Sequence, residues 1–175
     1  MSLLVDPVLQ LYLYDGPNQF MNIGPWKAAL QSQSQGVEAA IIGNIDMLPK
    51  VRFPETSNWN NYNIVRYGWS NGIPKGVGFH FTVGVTNTRY YSWAGVDEFD
   101  VTVFGYEHMQ IGWTLSQSGD SGGPVYTVHQ DAAIAAGGIA SFGEASANCD
   151  PVNERMVWGR SSRALNGLGA TLLTG

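Results

Sequence analysis

Disulfide bonds within the chain are excluded, because Cys149 is its only cysteine. Charged residues make up only 13% of the sequence, and no basic patch offsets the net charge of −5. A nucleic acid or an anionic membrane surface is therefore not expected as a partner. The longest apolar runs are well short of the roughly 18 residues that a membrane-spanning helix needs. Zinc-binding, calcium-binding and phosphate-binding patterns are also missing, so the sequence predicts neither a metal nor a cofactor.

Two further absences bear on the compartment. The N-terminus lacks a basic segment, and Asp6 and Pro7 interrupt its apolar stretch, so it does not read as a secretory signal. The lack of disulfides points the same way, towards a reducing compartment such as the cytoplasm.

Short segments rich in β-branched and aromatic residues recur along the chain, separated by Gly, Asn, Ser or Pro. The 22 glycines suit the tight turns and bulges of β-proteins. Predicted strands cover 37–45, 63–69, 78–85, 99–106, 124–128, 134–142 and 156–158. This spacing favours an antiparallel sandwich or barrel.

Helical patterns are few. Residues 25–31 follow a glycine, begin with a proline and predict one short helix. Residues 161–172 predict a C-terminal helix capped by Ser161 or Ser162. The Asn-rich segment 57–63 predicts a long exposed connection.

Residues 119–125 carry the clearest chemical signal and read Gly-Asp-Ser-Gly-Gly-Pro-Val. Small residues in this order let the chain turn so that the N–H groups of Gly119 and Ser121 converge on one point. Acyl transfer needs such donors, because negative charge develops on the substrate carbonyl oxygen. The segment therefore predicts a nucleophile loop around Ser121 rather than an ordinary glycine-rich hairpin.

This loop, the Ala-Ser-Phe-Gly segment at 140–143 and the tail at 162–172 together resemble the chymotrypsin-like (trypsin-like) serine proteases. The small bacterial streptogrisin and α-lytic types are the nearest. The resemblance is good over about residues 62–175 and thin over 1–61. It implies an all-β fold of two antiparallel β-barrels with a short C-terminal helix. The single domain, 1–175, would comprise a reduced or divergent first half-barrel (1–61) and a second (62–175) that carries the nucleophile loop.

The resemblance also assigns roles to residues. Ser121 would be the nucleophile, and Gly119 and Ser121 would supply the oxyanion-hole N–H groups. Leu115 would form the base of an apolar specificity pocket. Ser141, Phe142 and Gly143 would wall the substrate channel, and their strand would pair with an extended peptide by β-augmentation.

The carboxylate of the triad has two candidates. Glu38 begins the segment Glu-Ala-Ala-Ile-Ile, which matches the family pattern with Glu in place of Asp, and Asp46 is the rival. The extra methylene of Glu38 would displace a hydrogen bond to imidazole by about 1 Å.

The histidine of the triad has no match at the expected place, which precedes the carboxylate. The three histidines are His80, His108 and His129, all in the second half of the chain. Of these, His108 is the candidate to approach Ser121. His80 is expected to lie between strands or at the surface, and His129 to face solvent. Cys149 matches one cysteine of a family disulfide whose partner is missing here.

We therefore hypothesise a protease homologue with an incomplete triad, a pseudoenzyme that binds an extended peptide, a protein or a glycan. The first alternative is a serine endopeptidase whose histidine lies outside this chain or is replaced by an unexpected residue. A lectin-like defence protein is the second. The hypothesis of glycan binding by a pseudoenzyme and that of a lectin-like protein rest on the same aromatic residues beside polar turns. These are Trp59, Tyr62, Tyr67, Trp69, Tyr90, Tyr91 and Trp93. The resemblance to this family favours a secreted protein, whereas the missing signal segment and the missing disulfides favour a cytoplasmic one.

Overall fold

A computed structural model describes residues 10–14, 20–42, 49–52, 62–82, 89–114, 120–144 and 155–175. These residues form mainly strands and one short α-helix, which confirms the all-β prediction. The elements are β1 (Gln10–Tyr14), β2 (Phe20–Ser32), β3 (Val37–Ile42), β4 (Lys50–Arg52), β5 (Tyr62–Gly68), β6 (Phe79–Thr82), β7 (Arg89–Ser92), β8 (Val96–Val103), β9 (Tyr106–Trp113), β10 (Pro124–Val128), β11 (Ile134–Glu144), β12 (Arg155–Arg160) and α1 (Ser161–Leu168). Of the connection predicted over 57–63, residues 57–61 lie outside the described residues, and Tyr62 and Asn63 belong to β5.

The described strands form two sheets. The first is antiparallel, in the order β1-β2-β3. The second follows the order β7-β6-β10-β11-β12-β9-β8, and β5 joins it at β11 with β4 beside β5. The pairing of β5 with β11 is parallel, which departs from the antiparallel prediction. Parallel pairing is possible there because a long connection, from residue 69 to 133, returns the chain to the same end of the sheet.

The helix predicted over 25–31 is wrong, because these residues belong to strand β2. β2 pairs with β1 on one edge and with β3 on the other, and a register shift between Trp26 and Ala28 accommodates the chain just after Pro25. The pairing of residues 26–32 with β3 outweighs the helix preference of the Ala-Ala-Leu sequence.

The main core is formed largely by side chains of the second sheet, including Val125 of β10, the strand that follows Ser121. It comprises Ile73, Phe79, Phe81, Val96, Val125, Ala140, Met156 and Trp158. Ser121 therefore lies on a surface turn whose strands, β10 and β11, are anchored in this core through Val125 and Ala140.

Side-chain contacts hold the first sheet to α1 and to the second sheet. Leu30 and Val37 pack with Ala164 of α1, and Gln31 Nε2 donates a 2.7 Å hydrogen bond to the hydroxyl of Tyr106 on β9. The predicted C-terminal helix is confirmed as α1, but it ends at Leu168 rather than at residue 172. Its N-cap is Arg160, with no side-chain cap from Ser161 or Ser162. No helix in the described part of the chain is long and apolar enough to cross a membrane.

Candidate active site

Ser121 lies in a tight turn between residues 120 and 123. Gly123 N–H donates to the carbonyl of Asp120 at 3.1 Å, and Gly122 has φ of +90°. A positive φ at the third position of a turn is the conformation that glycine adopts at least cost. Gly122 N–H and Gly123 C=O then bond to Ala140 at 2.8 and 2.9 Å. The glycines of the loop thus fix Ser121 beside β11.

The hydroxyl of Ser121 is exposed and donates to the main-chain carbonyl of Ser141 at 3.2 Å. Phe142 and Gly143 lie beside it and, with Asp120 and others, enclose a space of about 20 Å³, room for one water molecule. The structure therefore brings four of the sequence-derived site residues together: Ser121, Ser141, Phe142 and Gly143.

One edge of β11 lacks a strand partner from Ser141 onwards among the described residues. β10 covers that edge from Ile134 to Ile139, and the turn extends the bonding to Ala140. The opposite edge pairs with β12 as far as Glu144. An unpaired edge of this kind can accept an added strand.

A larger cleft, of about 880 Å³, separates Ser121 from the first sheet. Ser121, Ile139 and Ser141 are on one wall, and residues 29–31 of β2 and 38–40 of β3 are on the other. The volume lies within the range of ordinary ligand sites. Glu38 lines this cleft together with Ser121, and its role as the carboxylate of a triad stays a prediction. The β2 wall was missed from the sequence, because residues 25–31 were predicted as a helix.

His108 is bound in a separate cluster on β8 and β9. Its Nδ1 lies 2.7 Å from Asp100 Oδ1, and Asp100 in turn accepts a 2.5 Å bond from the buried guanidinium of Arg160. Arg160 also donates to Asn71 and lies over the ring of Phe99, 4.3 Å from its centre. The sequence carried no signal for this cluster, since Asp100 and Arg160 are 60 positions apart.

The cluster lies away from Ser121. Ala140, Trp158 and Gln110 are opposite one another on β11, β12 and β9, which places β9 two strand spacings, about 10 Å, from β11. His108 lies two residues further along β9, towards Arg160. A hydrogen bond to Ser121 would require heavy atoms about 3 Å apart. The structure therefore does not bring His108 to the nucleophile loop.

The other two histidines also pack elsewhere. The ring of His80 is stacked between those of Tyr91 and Tyr126, with centres 4.6 and 5.7 Å apart, as expected for a cross-strand position. His129 follows β10 and packs on Tyr67, 4.9 Å between ring centres. It is half-buried rather than facing solvent as expected, because the turn after β10 folds it against β5.

Five residues singled out in the sequence lie outside the described part of the chain: Gly119, Leu115, Asp46, Cys149 and Trp59. The oxyanion-hole donor at Gly119 and the apolar specificity pocket at Leu115 therefore stay predictions, as does Asp46 as the rival carboxylate.

The aromatic residues considered for glycan contacts differ in exposure. Trp93 is 82% exposed, Tyr91 57% and Tyr67 43%. Trp69 is half-buried, and its indole N–H donates to Thr127 Oγ1 at 3.0 Å. Only part of the aromatic set is therefore available to a ligand.

The Asp100 cluster predicts a loss of stability in acid. The hydrogen bond to His108, and then the charge of Arg160, hold the pKa of the Asp100 carboxyl below its usual value. A carboxyl whose pKa is depressed by folding stabilises the protein above its unfolded pKa of about 4, and that contribution disappears as the pH falls through the folded value. Asp100→Asn is expected to flatten the fall in unfolding free energy below about pH 4. Urea titrations across the acid range measure this, and parallel curves for the two proteins would contradict it.

Several solved structures of bacterial serine proteases are similar to this chain. A glutamic acid specific serine protease, described as using a histidine triad in substrate binding, has a TM-score of 0.67 and 17% identity, over 87% of this chain and 75% of its own. Protease A of Thermobifida fusca gives 0.59 and 18%, over 78% and 67%. The Nocardiopsis protease NAPase gives 0.61 and 16%, over 83% and 71%. No protein-family model and no curated protein sequence matches the chain.

These likenesses, at 16 to 18% identity, define the fold. The protein has the all-β fold of the chymotrypsin-like serine proteases, and the turn that carries Ser121 lies at the cleft between its two sheets.

Proposed function

We propose that this protein is a serine-protease homologue with an incomplete catalytic triad, which binds an extended peptide or protein segment along β11 beside Ser121. The observation that carries this proposal is the bond from Ser121 Oγ to the carbonyl of Ser141. A main-chain carbonyl accepts a hydrogen bond but does not take up the proton, whereas the reaction requires a base that does.

The absence of an imidazole from the described cleft residues supports the same proposal. Imidazole suits the role of base because its ordinary pKa is close to neutrality, while that of a carboxylic acid is about 4. In serine proteases, removal of the histidine base lowers turnover by about 10⁶-fold. The peptide-binding part of the proposal rests on the edge of β11 that has no partner among the described strands, to which an extended peptide can add main-chain hydrogen bonds.

A fluorophosphonate probe tests the proposal. We expect no rapid labelling of the protein at neutral pH, because an unactivated serine hydroxyl reacts slowly with such probes. Mass spectrometry over time measures the labelled fraction, with Ser121→Ala as the control for labelling elsewhere. Rapid stoichiometric labelling that Ser121→Ala abolishes would overturn the pseudoenzyme proposal.

A serine endopeptidase is the second candidate, because Glu38 and Ser121 line the same cleft. In that case Glu38 would act as the unexpected base. Slow hydrolysis of a peptide ester, lost equally in Ser121→Ala and Glu38→Gln, would favour this candidate. Hydrolysis that survives Ser121→Ala would point to a contaminating enzyme.

A further inference from the structure

The large cleft has an uneven distribution of charge. Most of its described lining is aliphatic: Ala29, Leu30, Ala39, Ala40, Ile139 and Ala140. Among the described lining residues the only charged side chain is Glu38, which is exposed. None of the ion pairs between described residues includes it. The described lining therefore presents one carboxylate among mainly aliphatic side chains.

The polar neighbours of this carboxylate are bonded to other groups. Gln31 is directly opposite Glu38 in the pairing of β2 with β3. The amide of Gln31 donates to the hydroxyl of Tyr106 at 2.7 Å. Across the cleft, the hydroxyl of Ser121 donates to Ser141. Glu38 thus remains available to a ligand that enters the cleft.

We propose that the cleft prefers a peptide segment with an arginine or lysine side chain, and that Glu38 determines this preference. The inference rests on the proposed function, since it requires a peptide in the cleft. The aliphatic wall would contact the methylene stem of such a side chain while its charged end reaches the carboxylate. Arginine suits the site best, because its planar guanidinium can form two parallel hydrogen bonds with a carboxylate.

The charge of the whole molecule acts in the same direction. The net charge of −5 attracts cationic peptides from a distance and raises their association rate. This long-range effect declines with salt and does not depend on one residue. The contact with Glu38 is local, so a single substitution at that position separates the two effects.

The experiment compares peptides that differ only in charge. Six fluorescein-labelled alanine hexapeptides each carry one arginine, at a different position, and six matched peptides carry citrulline, its neutral counterpart, instead. Fluorescence anisotropy gives the dissociation constants for the wild type, Glu38→Gln and Glu107→Gln. Glu107 is a matched control, because its side chain is 54% exposed and does not line the cleft. Circular dichroism verifies that both variants fold.

We expect arginine in at least one position to bind about tenfold more tightly than citrulline, a difference of about 1.4 kcal/mol. Glu38→Gln should remove this difference, and Glu107→Gln should retain it. A difference that persists in Glu38→Gln, or that Glu107→Gln also removes, would overturn the role of Glu38. Equal binding of the arginine and citrulline series to the wild type would overturn the preference while leaving peptide binding intact. If no peptide of either series binds the folded protein, the proposed function and the preference both fail.

Discussion

Gln110→Leu is expected to lower the free energy of unfolding by about 3 to 5 kcal/mol, because three buried polar groups would lose their partner. Gln110 is fully buried. Its side-chain oxygen accepts from Ile73 N–H at 3.1 Å and from the indole N–H of Trp158 at 3.2 Å, and its amide donates to Ile73 C=O at 2.5 Å. Leucine has a similar size but can replace none of these bonds. Urea denaturation with an unchanged m-value measures the loss.

Gln33→Leu is the control for this change. Gln33 is exposed in the 3₁₀ turn between β2 and β3, so the same substitution there should alter the unfolding free energy by no more than about 0.5 kcal/mol. A loss below about 1 kcal/mol for Gln110→Leu would mean that water replaces the missing side chain inside the core.

Gly36→Ala is expected to lower the unfolding free energy by about 3 kcal/mol and to weaken peptide binding. Gly36 has φ of +60°, and a Cβ there would overlap the carbonyl oxygen of Glu107 on β9. Positive φ costs alanine about 1 to 2 kcal/mol, and forced separation of packed backbone costs about 1 to 3 more. Because Gly36 ends the 3₁₀ turn and directly precedes β3, this separation moves the wall that carries Glu38. Thermal unfolding and the anisotropy assay above measure the two effects.

Gly76→Ala isolates the conformational part of that cost. Gly76 has φ of +78°, and a Cβ there would meet no atom within 4 Å. Gly76→Ala should therefore lower the free energy of unfolding by about 1 kcal/mol and leave peptide binding unchanged. Equal losses of unfolding free energy in Gly36→Ala and Gly76→Ala would show that contact with β9 does not require a glycine at position 36.

Some strand positions were predictable because the local sequence specifies them. The strand predicted over 99–106 is wrong at its end, where a turn at Phe104 and Gly105 separates β8 from β9. Residues 124–128 and 134–142 alternate or run apolar between turn signals, and β10 and β11 occupy nearly those ranges. Residues 25–31 failed as a prediction because their own preference is helical, whereas the strand pairing that overrides it comes mainly from β3, beyond the turn at 33–36. Pairing partners of this kind have no signature within the segment itself.

The two walls of the cleft, one formed by Ser121 and β11 and the other by β2 and β3, differ in how far the sequence predicted them. The proximity of the loop at Ser121 to the strand 141–143 was predicted from the resemblance to the chymotrypsin-like serine proteases. The opposite wall has no motif except Glu38, and its place depends on how β2 and β3 dock on Tyr106 and α1. The Asp100–His108–Arg160 cluster also escaped prediction, because ion pairs between distant strands leave no pattern in sequence.

The sequence by itself determined the all-β class, the C-terminal helix and the tight turn at Ser121, since glycine and proline placement and strand alternation act over a few residues. Only the tertiary structure decided which ionisable side chains share the cleft with Ser121. Sheet order places β9 two strands from β11, so His108 is bound to Asp100, and the docking of the first sheet brings Glu38 to the cleft instead. Such proximity depends on the pairing of strands far apart in the chain, which local sequence does not encode.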